Sequence, residues 1–357
     1  MNPLYKVSDD REGSVGRRTI TSLRSSSAPP QTGQVEELKI EPRNLRYLEK
    51  EFSQYLRTPP TPFLSKSVPS RRQLLAKLNH WIFEESWPAM SARRELARLS
   101  SPSQRGFRIV AVTSGKGGVG KTTLSVNLAL ALHQLDHRVL LVDADMGLGN
   151  VHVLVGKQPK RTLANFIAGQ GSIVDAILPG PNGMDILYGG SGMPHLANLT
   201  RTQMQSFVHE LTKLSDSYDF VVVDTAAGIA PNVLDYLSIA DEILVVTTPD
   251  LSAILDAYGM IKAVRESHLP ADIHSMVNQV ADEKEAEAVF SRLSACTQKF
   301  LQFSPRPIGF VEKDERILQA GRRRVPYLIE DPTQKAAKQI LSAADVFSSR
   351  RKRSIDR

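Results

Sequence analysis

The distribution of apolar positions divides the chain in two at about residue 106. After this point, short apolar runs alternate with segments in which apolar residues recur at helical spacing. Apolar runs of this kind are typical of parallel strands buried on both faces, and the segments between them are typical of helices. The predicted strands are 108–113, 139–143, 184–187, 220–224, 243–247, 273–278 and 307–310, and the predicted helices are 121–135, 201–214, 252–266 and 283–303. The alternation predicts an α/β domain at 106–345 with a doubly wound, mostly parallel sheet flanked by helices.

Residues 1–105 differ in composition from this domain. They contain 10 of the 21 prolines and have clusters of serine and proline at 25–30 and 59–69. Such segments bury too little apolar surface to offset the entropy lost on ordering, so we expect a largely disordered extension. Two stretches in it, 43–57 and 71–87, place apolar residues on one face and are predicted to be short amphipathic helices. They could pack within the protein, or they could dock on a partner or a membrane surface.

Length, cysteine content and charge exclude several classes of protein. No apolar run approaches the ~20 residues of a membrane span, and the first residues do not resemble a signal peptide, so we expect a cytoplasmic protein. A single cysteine, Cys296, is too few for a disulfide or a CxxC site. Residues 1–105 hold 18 Lys and Arg against 11 Asp and Glu, whereas 106–349 hold 22 against 26. Because the predicted domain is acidic, we do not expect it to bind DNA.

The first predicted strand is followed by a glycine-rich loop and then a helix. The loop reads GKGGVGKTT and satisfies the phosphate-loop pattern G-x-x-x-x-G-K-[ST] in the context that the pattern requires. Its glycines let backbone N–H groups surround phosphate oxygens, Lys121 can reach the β and γ phosphates, and the Thr122 hydroxyl can bind Mg²⁺. The residues expected to bind the nucleotide here are Gly115, Gly117, Gly118, Val119, Gly120, Lys121, Thr122 and Thr123.

A later apolar run, FVVVD, ends at Asp224 and is followed by TAAG. In a chain with a phosphate loop, this pattern indicates the Walker B strand and a second switch segment. Asp224 is therefore expected to hold Mg²⁺ directly or through water, and Gly228 gives the next loop the freedom to respond to a γ phosphate.

A lysine directly after the first glycine of the loop, Lys116, makes this sequence resemble the MinD/ParA family of ATPases with a deviant Walker A motif. The resemblance implies that ATP is bound between two subunits of a homodimer and that Lys116 reaches the partner's nucleotide, as a catalytic residue alongside Lys121. It also implies that Asp145 orients the attacking water and that Asp143 supports the Mg²⁺ site.

The expected base is adenine. No guanine motif [NT]-K-x-D follows a late strand, and Asn278 stands where the MinD/ParA family contacts adenine. The segment 308–317 resembles the loop that covers the base in this family, with Glu312 at the usual position of a proline. The predicted cofactors are therefore ATP and Mg²⁺.

Three longer stretches, 188–200, 247–264 and 276–301, resemble the flagellar-number branch of the family, which is known as FlhG or FleN. The resemblance covers 106–345 and implies a slow, partner-stimulated ATPase that limits the number or position of flagella. The implied partner is a GTPase like FlhF, or a basal-body or regulatory protein of the flagellum. The alternatives are the same ATPase positioning the division site or DNA, and a scaffold that binds ATP without hydrolysing it.

The C-terminal segment has two interpretations. One apolar helical face is formed by Ala337, Ile340, Leu341, Ala344 and Phe347. This face could close the fold, or it could bind a membrane as in MinD-like proteins. In the second case the basic residues 350–353 of the tail, 346–357, would each contribute about 1 kcal/mol near an anionic surface. The protein would then lie at the inner face of the cell membrane or at a cell pole.

Overall fold

Two separate units of the chain are described by the computed structural model. It describes residues 20–21, 37–38, 87–99, 106–147, 149–190 and 199–355, with the backbone alone at 20–21, 37–38, 87–91 and 350–355. The chain divides into a unit at 1–68 and a unit at 69–357. In the first unit, the described residues form an antiparallel pair of two-residue strands, Ile20–Thr21 and Glu37–Leu38. All the elements named below belong to the second unit.

The second unit is built on an eight-stranded sheet. Numbered along the chain, its strands are β1 Arg108–Thr113, β2 Val139–Asp143, β3 Ile177–Pro179, β4 Asp185–Leu187, β5 Phe220–Asp224, β6 Glu242–Thr247, β7 Asp272–Val280 and β8 Arg306–Glu312. They lie in the order β8-β7-β6-β1-β5-β2-β4-β3. Neighbouring strands are parallel except for β3 and β4, which are antiparallel. The doubly wound, mostly parallel sheet is confirmed, with β1 near its centre.

Helices connect and cover these strands. They are α1 Trp87–Leu99, α2 Lys121–Gln134, α3 Val151–Leu154, α4 Leu163–Ile167, α5 Arg201–Thr212, α6 Pro231–Ser238, α7 Leu251–Glu266, α8 Glu283–Leu301, α9 Glu315–Arg322, α10 Tyr327–Glu330 and α11 Lys335–Ile355. The seven predicted strands and four predicted helices are confirmed to within two residues at each end. The edge strand β3 and the short helices were not predicted, because so few residues show no clear period.

The central strands are apolar throughout because both faces of the sheet are covered. In β1, Val110 and Val112 belong to the core cluster that includes buried residues of α2 and α11. Ile109 and Ala111 are equally buried, and since side chains alternate along a strand, they point to the opposite face. The continuous apolar run therefore reflects two helical layers rather than one.

Helix α1 precedes the domain boundary that the sequence predicted at 105/106, yet it belongs to the packed unit. It packs on α5 and α6, and both Leu96 and Arg93 are buried. A charged segment of this kind, RRELARL, is typical of a solvated helix, and the carboxylate that lets Arg93 be buried comes from a distant element. The predicted helices at 43–57 and 71–87 lie outside the described residues, Trp87 excepted.

Helix α11 decides between the two interpretations of the C-terminal apolar face. Ala337, Ile340, Ala344 and Phe347 are all fully buried, and the helix packs on α2 and β8. The face therefore closes the fold, and the membrane interpretation of this face is wrong. The helix continues to Ile355, through most of the segment predicted as a separate tail. None of the helices that the structure describes has the length and apolar character of a membrane span.

The closing role of α11 can be tested by truncating a side chain in its buried face. Ile340→Ala is expected to lower the free energy of unfolding by about 2–5 kcal/mol, because it removes buried methylene groups and leaves a cavity. Ser342→Ala, at an exposed position of the same helix, is the control and should change stability by less than about 0.5 kcal/mol. Urea unfolding measures both. Equal stabilities of the two variants would contradict the closing role.

Candidate functional site

The predicted phosphate loop lies between β1 and α2, at the carboxyl edge of the sheet. Two of its glycines are required by their surroundings. A Cβ at Gly115 would lie 2.1 Å from the carbonyl oxygen of Asp256 in α7, and Gly120 has a φ of 85° at the N-cap of α2. A Cβ at Gly117 or Gly118 would meet no atom within 4 Å. The loop therefore borders open space in front of a long helix N-terminus, which suits an anion.

Lys121 begins α2 and points its ammonium group at the carboxyl end of β5. Its Nζ donates to Asp224 Oδ1 at 2.8 Å, and the Ser125 hydroxyl donates to the same oxygen at 2.8 Å. The side chains of Lys121 and Asp224 are 7% and 1% exposed, so this is a buried ion pair. Ser125 was not predicted as a site residue, although it follows Lys121 by four residues and thus lies on the same helical face.

Asp143 at the end of β2 is the direct neighbour of Asp224 in the parallel register. Burial, and then the charge of Asp224, raise the pKa of Asp143 to about 8, although the Asp145 N–H donates to its carboxyl group at 3.2 Å. The other Asp224 oxygen, Oδ2, is buried and has no hydrogen-bond partner among the described residues. Buried oxygens of this kind fit a hard divalent cation. Asp143, Asp224 and the Thr122 hydroxyl are the residues that would hold Mg²⁺, and its binding would release the Asp143 proton.

Asp145 lies in the segment after β2, at the same edge of the sheet. The preceding residue, Ala144, donates its N–H to the carbonyl oxygen of Asp224 at 2.8 Å, so this segment lies against the end of β5. Asp145 itself is partly exposed. The structure thus brings Asp145 to the edge that carries Lys121 and Asp224, whereas its action on a water molecule stays a prediction.

Lys116 is bound by its own subunit. Its Nζ lies 2.5 Å from Asp250 Oδ2 and 2.6 Å from the Ser252 hydroxyl, both at the start of α7. Burial raises the pKa of Asp250, but hydrogen bonds from Lys116 and Ser252 outweigh it, and the pKa lies below its usual value. The two side chains are 38% and 47% exposed, so the pair contributes only about 0–1 kcal/mol. Lys116 can therefore leave at little cost. Asp250 and Ser252 were not predicted as site residues, because no local motif marks them.

The second switch segment connects the phosphate loop to α6. The Thr225 hydroxyl donates to the carbonyl oxygen of Val112 at 3.1 Å, and the Gly228 N–H donates to that of Ser114 at 2.8 Å. Three residues after Gly228, Pro231 begins α6. A change at the phosphate loop can therefore be passed to α6 through a very short segment.

Asn278, near the end of β7, contacts the phosphate loop itself. Its Nδ2 donates to the carbonyl oxygen of Val119 at 2.8 Å, and its contact with adenine stays a prediction. Glu312, at the end of β8, binds α11 instead: its N–H donates to Gln339 Oε1 and its carboxylate accepts from Lys335, both at 3.0 Å. Glu312, which stands where the family usually has a proline, therefore links β8 to α11 by hydrogen bonds.

Comparison with known proteins agrees with this geometry. A protein-family model described as an AAA domain (AAA_31) matches residues 107–272. The antiactivator FleN of Pseudomonas aeruginosa is 38% identical over 235 residues, which is 66% of this chain and 84% of FleN. The structure of the cell division ATPase MinD from Pyrococcus furiosus has a TM-score of 0.58 and 25% identity, over 68% of this chain and 98% of that one. MinD of Pyrococcus horikoshii, complexed with Mg-ADP, has a TM-score of 0.58 and 24% identity, over 68% and 96%.

The chain belongs to the MinD/ParA family of P-loop ATPases. Within that family it is most similar to the FlhG branch, to which FleN belongs. The family and branch predicted from the sequence are thereby confirmed. The general prediction of a nucleotide site in a P-loop ATPase is also supported, whereas Mg²⁺ binding and the role of each residue stay proposals.

Proposed function

We propose that this protein is an ATP-driven switch that sets the number or placement of flagella. ATP favours a two-fold dimer that holds a partner, and hydrolysis to ADP releases it. The flagellar assignment is carried by one observation, the 38% identity to FleN over 84% of its length. The switch is supported by the site, in which Lys116, Lys121 and the aspartates after β2 and β5 lie around one phosphate loop.

In the proposed hydrolysis of ATP, each group of site residues has a separate role. The loop N–H groups and Lys121 bind the phosphates, and Lys116 from the partner subunit adds a second cation at the γ phosphate. Asp145 orients the water whose oxygen attacks the γ phosphorus as the bond to the β–γ bridging oxygen breaks, giving ADP and phosphate. Mg²⁺, which Asp143, Asp224 and the Thr122 hydroxyl would hold, would supply positive charge that offsets the charge of the phosphates.

The position of Lys116 supports slow hydrolysis that a partner stimulates. Within its own subunit, the ammonium group of Lys116 is bound by Asp250 and Ser252. The γ phosphate gains its second cation only when Lys116 leaves these groups and enters the neighbouring site. Hydrolysis then depends on the dimer, and a partner that favours the released lysine raises the rate.

Lys116→Ala is expected to leave ATP binding and stability unchanged and to abolish ATP-dependent dimerisation. The reason is that Lys116 contributes only an exposed ion pair to its own subunit. Isothermal titration with a non-hydrolysable ATP analogue and light scattering with and without the analogue measure these effects. Lys157→Ala, at another exposed lysine, is the matched control and should dimerise normally. Dimerisation of Lys116→Ala with wild-type affinity would contradict the proposed role.

The partners follow from the same proposal. We include a second copy of the chain, and a GTPase like FlhF or a basal-body or regulatory protein of the flagellum as the stimulating partner. Contact with an anionic membrane, at its inner face or at a pole, would use the basic residues 350–353 or the N-terminal stretches 43–57 and 71–87, because the apolar face of α11 is buried. DNA is disfavoured as a cargo, since 106–349 hold 22 Lys and Arg against 26 Asp and Glu.

A second candidate is placement of the division site, which the structural similarity to MinD supports. One experiment separates the two. Flagella are counted by electron microscopy in the native host, in a deletion strain, and in that strain complemented with the wild-type gene or with Lys121→Ala. Extra or misplaced flagella, corrected by the wild type alone, are the expected result. Normal flagella in the deletion strain would overturn the flagellar assignment, and misplaced septa would favour the division site.

The remaining alternative, a scaffold that binds ATP without hydrolysing it, is tested separately by measuring phosphate release from ATP with the purified protein. Phosphate release would exclude the scaffold, and its absence would support it.

A further inference from the structure

Helix α1 attaches the N-terminal segment of the chain to the domain through a buried arginine. Arg93 is 1% exposed, and its Nε donates to Asp235 Oδ1 at 2.9 Å while its Nη2 donates to the carbonyl oxygen of Pro231 at 3.2 Å. Both acceptors lie on α6, one turn apart. The guanidinium group therefore fixes α1 to the first turn of that helix.

Other residues of α1 also pack specifically on α5 and α6. Leu96 is 2% exposed, and α1 packs on both α5 and α6. Glu95 adds an ion pair with Arg201 and accepts from Gln205 Nε2 at 3.4 Å, both on α5. The surface formed by α5 and α6 thus binds three side chains of α1: the cation of Arg93, the anion of Glu95 and the apolar side chain of Leu96.

The first turn of α6 directly follows the second switch segment along the chain. Gly228, whose N–H is bound by the carbonyl oxygen of Ser114, precedes Pro231 by only three residues. Residues 226–231 are partly or fully exposed, so no tight packing restrains them. If the Gly228 N–H turns from Ser114 to a γ phosphate oxygen, the Pro231 carbonyl moves with it and the Arg93 contact is strained.

We propose that α5 and α6 form a docking surface for the N-terminal segment of this chain, and that the nucleotide at the phosphate loop sets whether α1 is docked there. The inference rests on the ATP switch proposed above. Because Arg93 contacts Pro231 while the Gly228 N–H is bound by the Ser114 carbonyl oxygen, ATP that draws this N–H away from Ser114 weakens docking. The state of the phosphate site is thereby passed to the 86 residues that precede α1.

Coupling between two sites is reciprocal, and typical couplings change affinities 5-fold to 150-fold. Hydrogen exchange of the full chain is measured without nucleotide, with Mg-ADP and with a non-hydrolysable ATP analogue. In the wild type, amides of 87–99 are expected to exchange at least about 5-fold faster with the analogue than without nucleotide. In Arg93→Ala these amides should exchange fast in every state, and the analogue should bind more tightly by the same factor.

Two further variants distinguish docking of α1 that responds to the nucleotide from permanent packing of α1 on the domain. Arg94→Ala changes the exposed neighbour on the same helix and should behave as the wild type. Asp235→Asn leaves α1 intact and should reproduce the effect of Arg93→Ala. If 87–99 keep the same protection in all states while 115–123 and 225–238 respond to the analogue, the docking proposal is overturned and the ATP switch stands. If none of the three segments responds, the ATP switch itself fails, and the docking proposal fails with it.

Discussion

Lys121→Ala is expected to weaken ATP binding about 10-fold to 150-fold and also to destabilise the protein measured without nucleotide. Lys121 donates one of the two hydrogen bonds that Asp224 Oδ1 accepts, and both side chains are buried. Removing one partner of such a pair costs about 3–5 kcal/mol, because the other charge stays buried without compensation. Loss of a charged hydrogen bond to the phosphates is worth about 1.5–3 kcal/mol, or about 10-fold to 150-fold in ATP affinity.

The two effects are separable by a double variant. Lys121→Met combined with Asp224→Asn removes both charges, and a pair replaced in this way is often neutral for stability. We therefore expect urea unfolding to show the stability largely restored, while calorimetric titration shows no recovery of ATP binding. Lys284→Ala, at an exposed lysine of α8, is the control for both measurements. A Lys121→Ala variant as stable as the wild type would show that the buried pair does not contribute as the geometry indicates.

Asp145→Ala is expected to bind ATP and dimerise but to hydrolyse ATP about 10²-fold to 10⁴-fold more slowly, the usual contribution of a group that handles the proton of the attacking water. The fold should tolerate this change, since the hydrogen bond from residue 145 to Asp143 comes from the backbone N–H, which alanine keeps. Phosphate release measures turnover, and light scattering measures the dimer, which should persist because its ATP is not consumed.

A matched control is available in α11, where Asp345 is exposed. Asp345→Ala loses the same negative charge and should hydrolyse ATP at the wild-type rate. Normal hydrolysis by Asp145→Ala would remove this residue from the mechanism and direct attention to Asp143, the buried carboxyl group that accepts from the backbone N–H of residue 145.

At the phosphate site, the sequence predicts the features that depend on contiguous residues and not those that depend on distant ones. The loop 115–123, the strand before it and the helix after it are contiguous, so local spacing was enough to predict their structure. Asp143 and Asp224 lie next to each other only because β2 pairs with β5. The resting partners of Lys116, at the start of α7, lie more than 130 residues away along the chain. No local pattern contains that information.

The sequence by itself determined the alternation of strands and helices, the phosphate loop and the family, because periodicity and motif spacing are properties of contiguous residues. The tertiary structure alone decided that Arg93 is buried, since its burial depends on Asp235 and Pro231 in a distant helix. It also decided between closing helix and membrane surface for Ala337 to Phe347. An amphipathic face has the same pattern whatever covers it, and only the packed domain shows that α2 and β8 do.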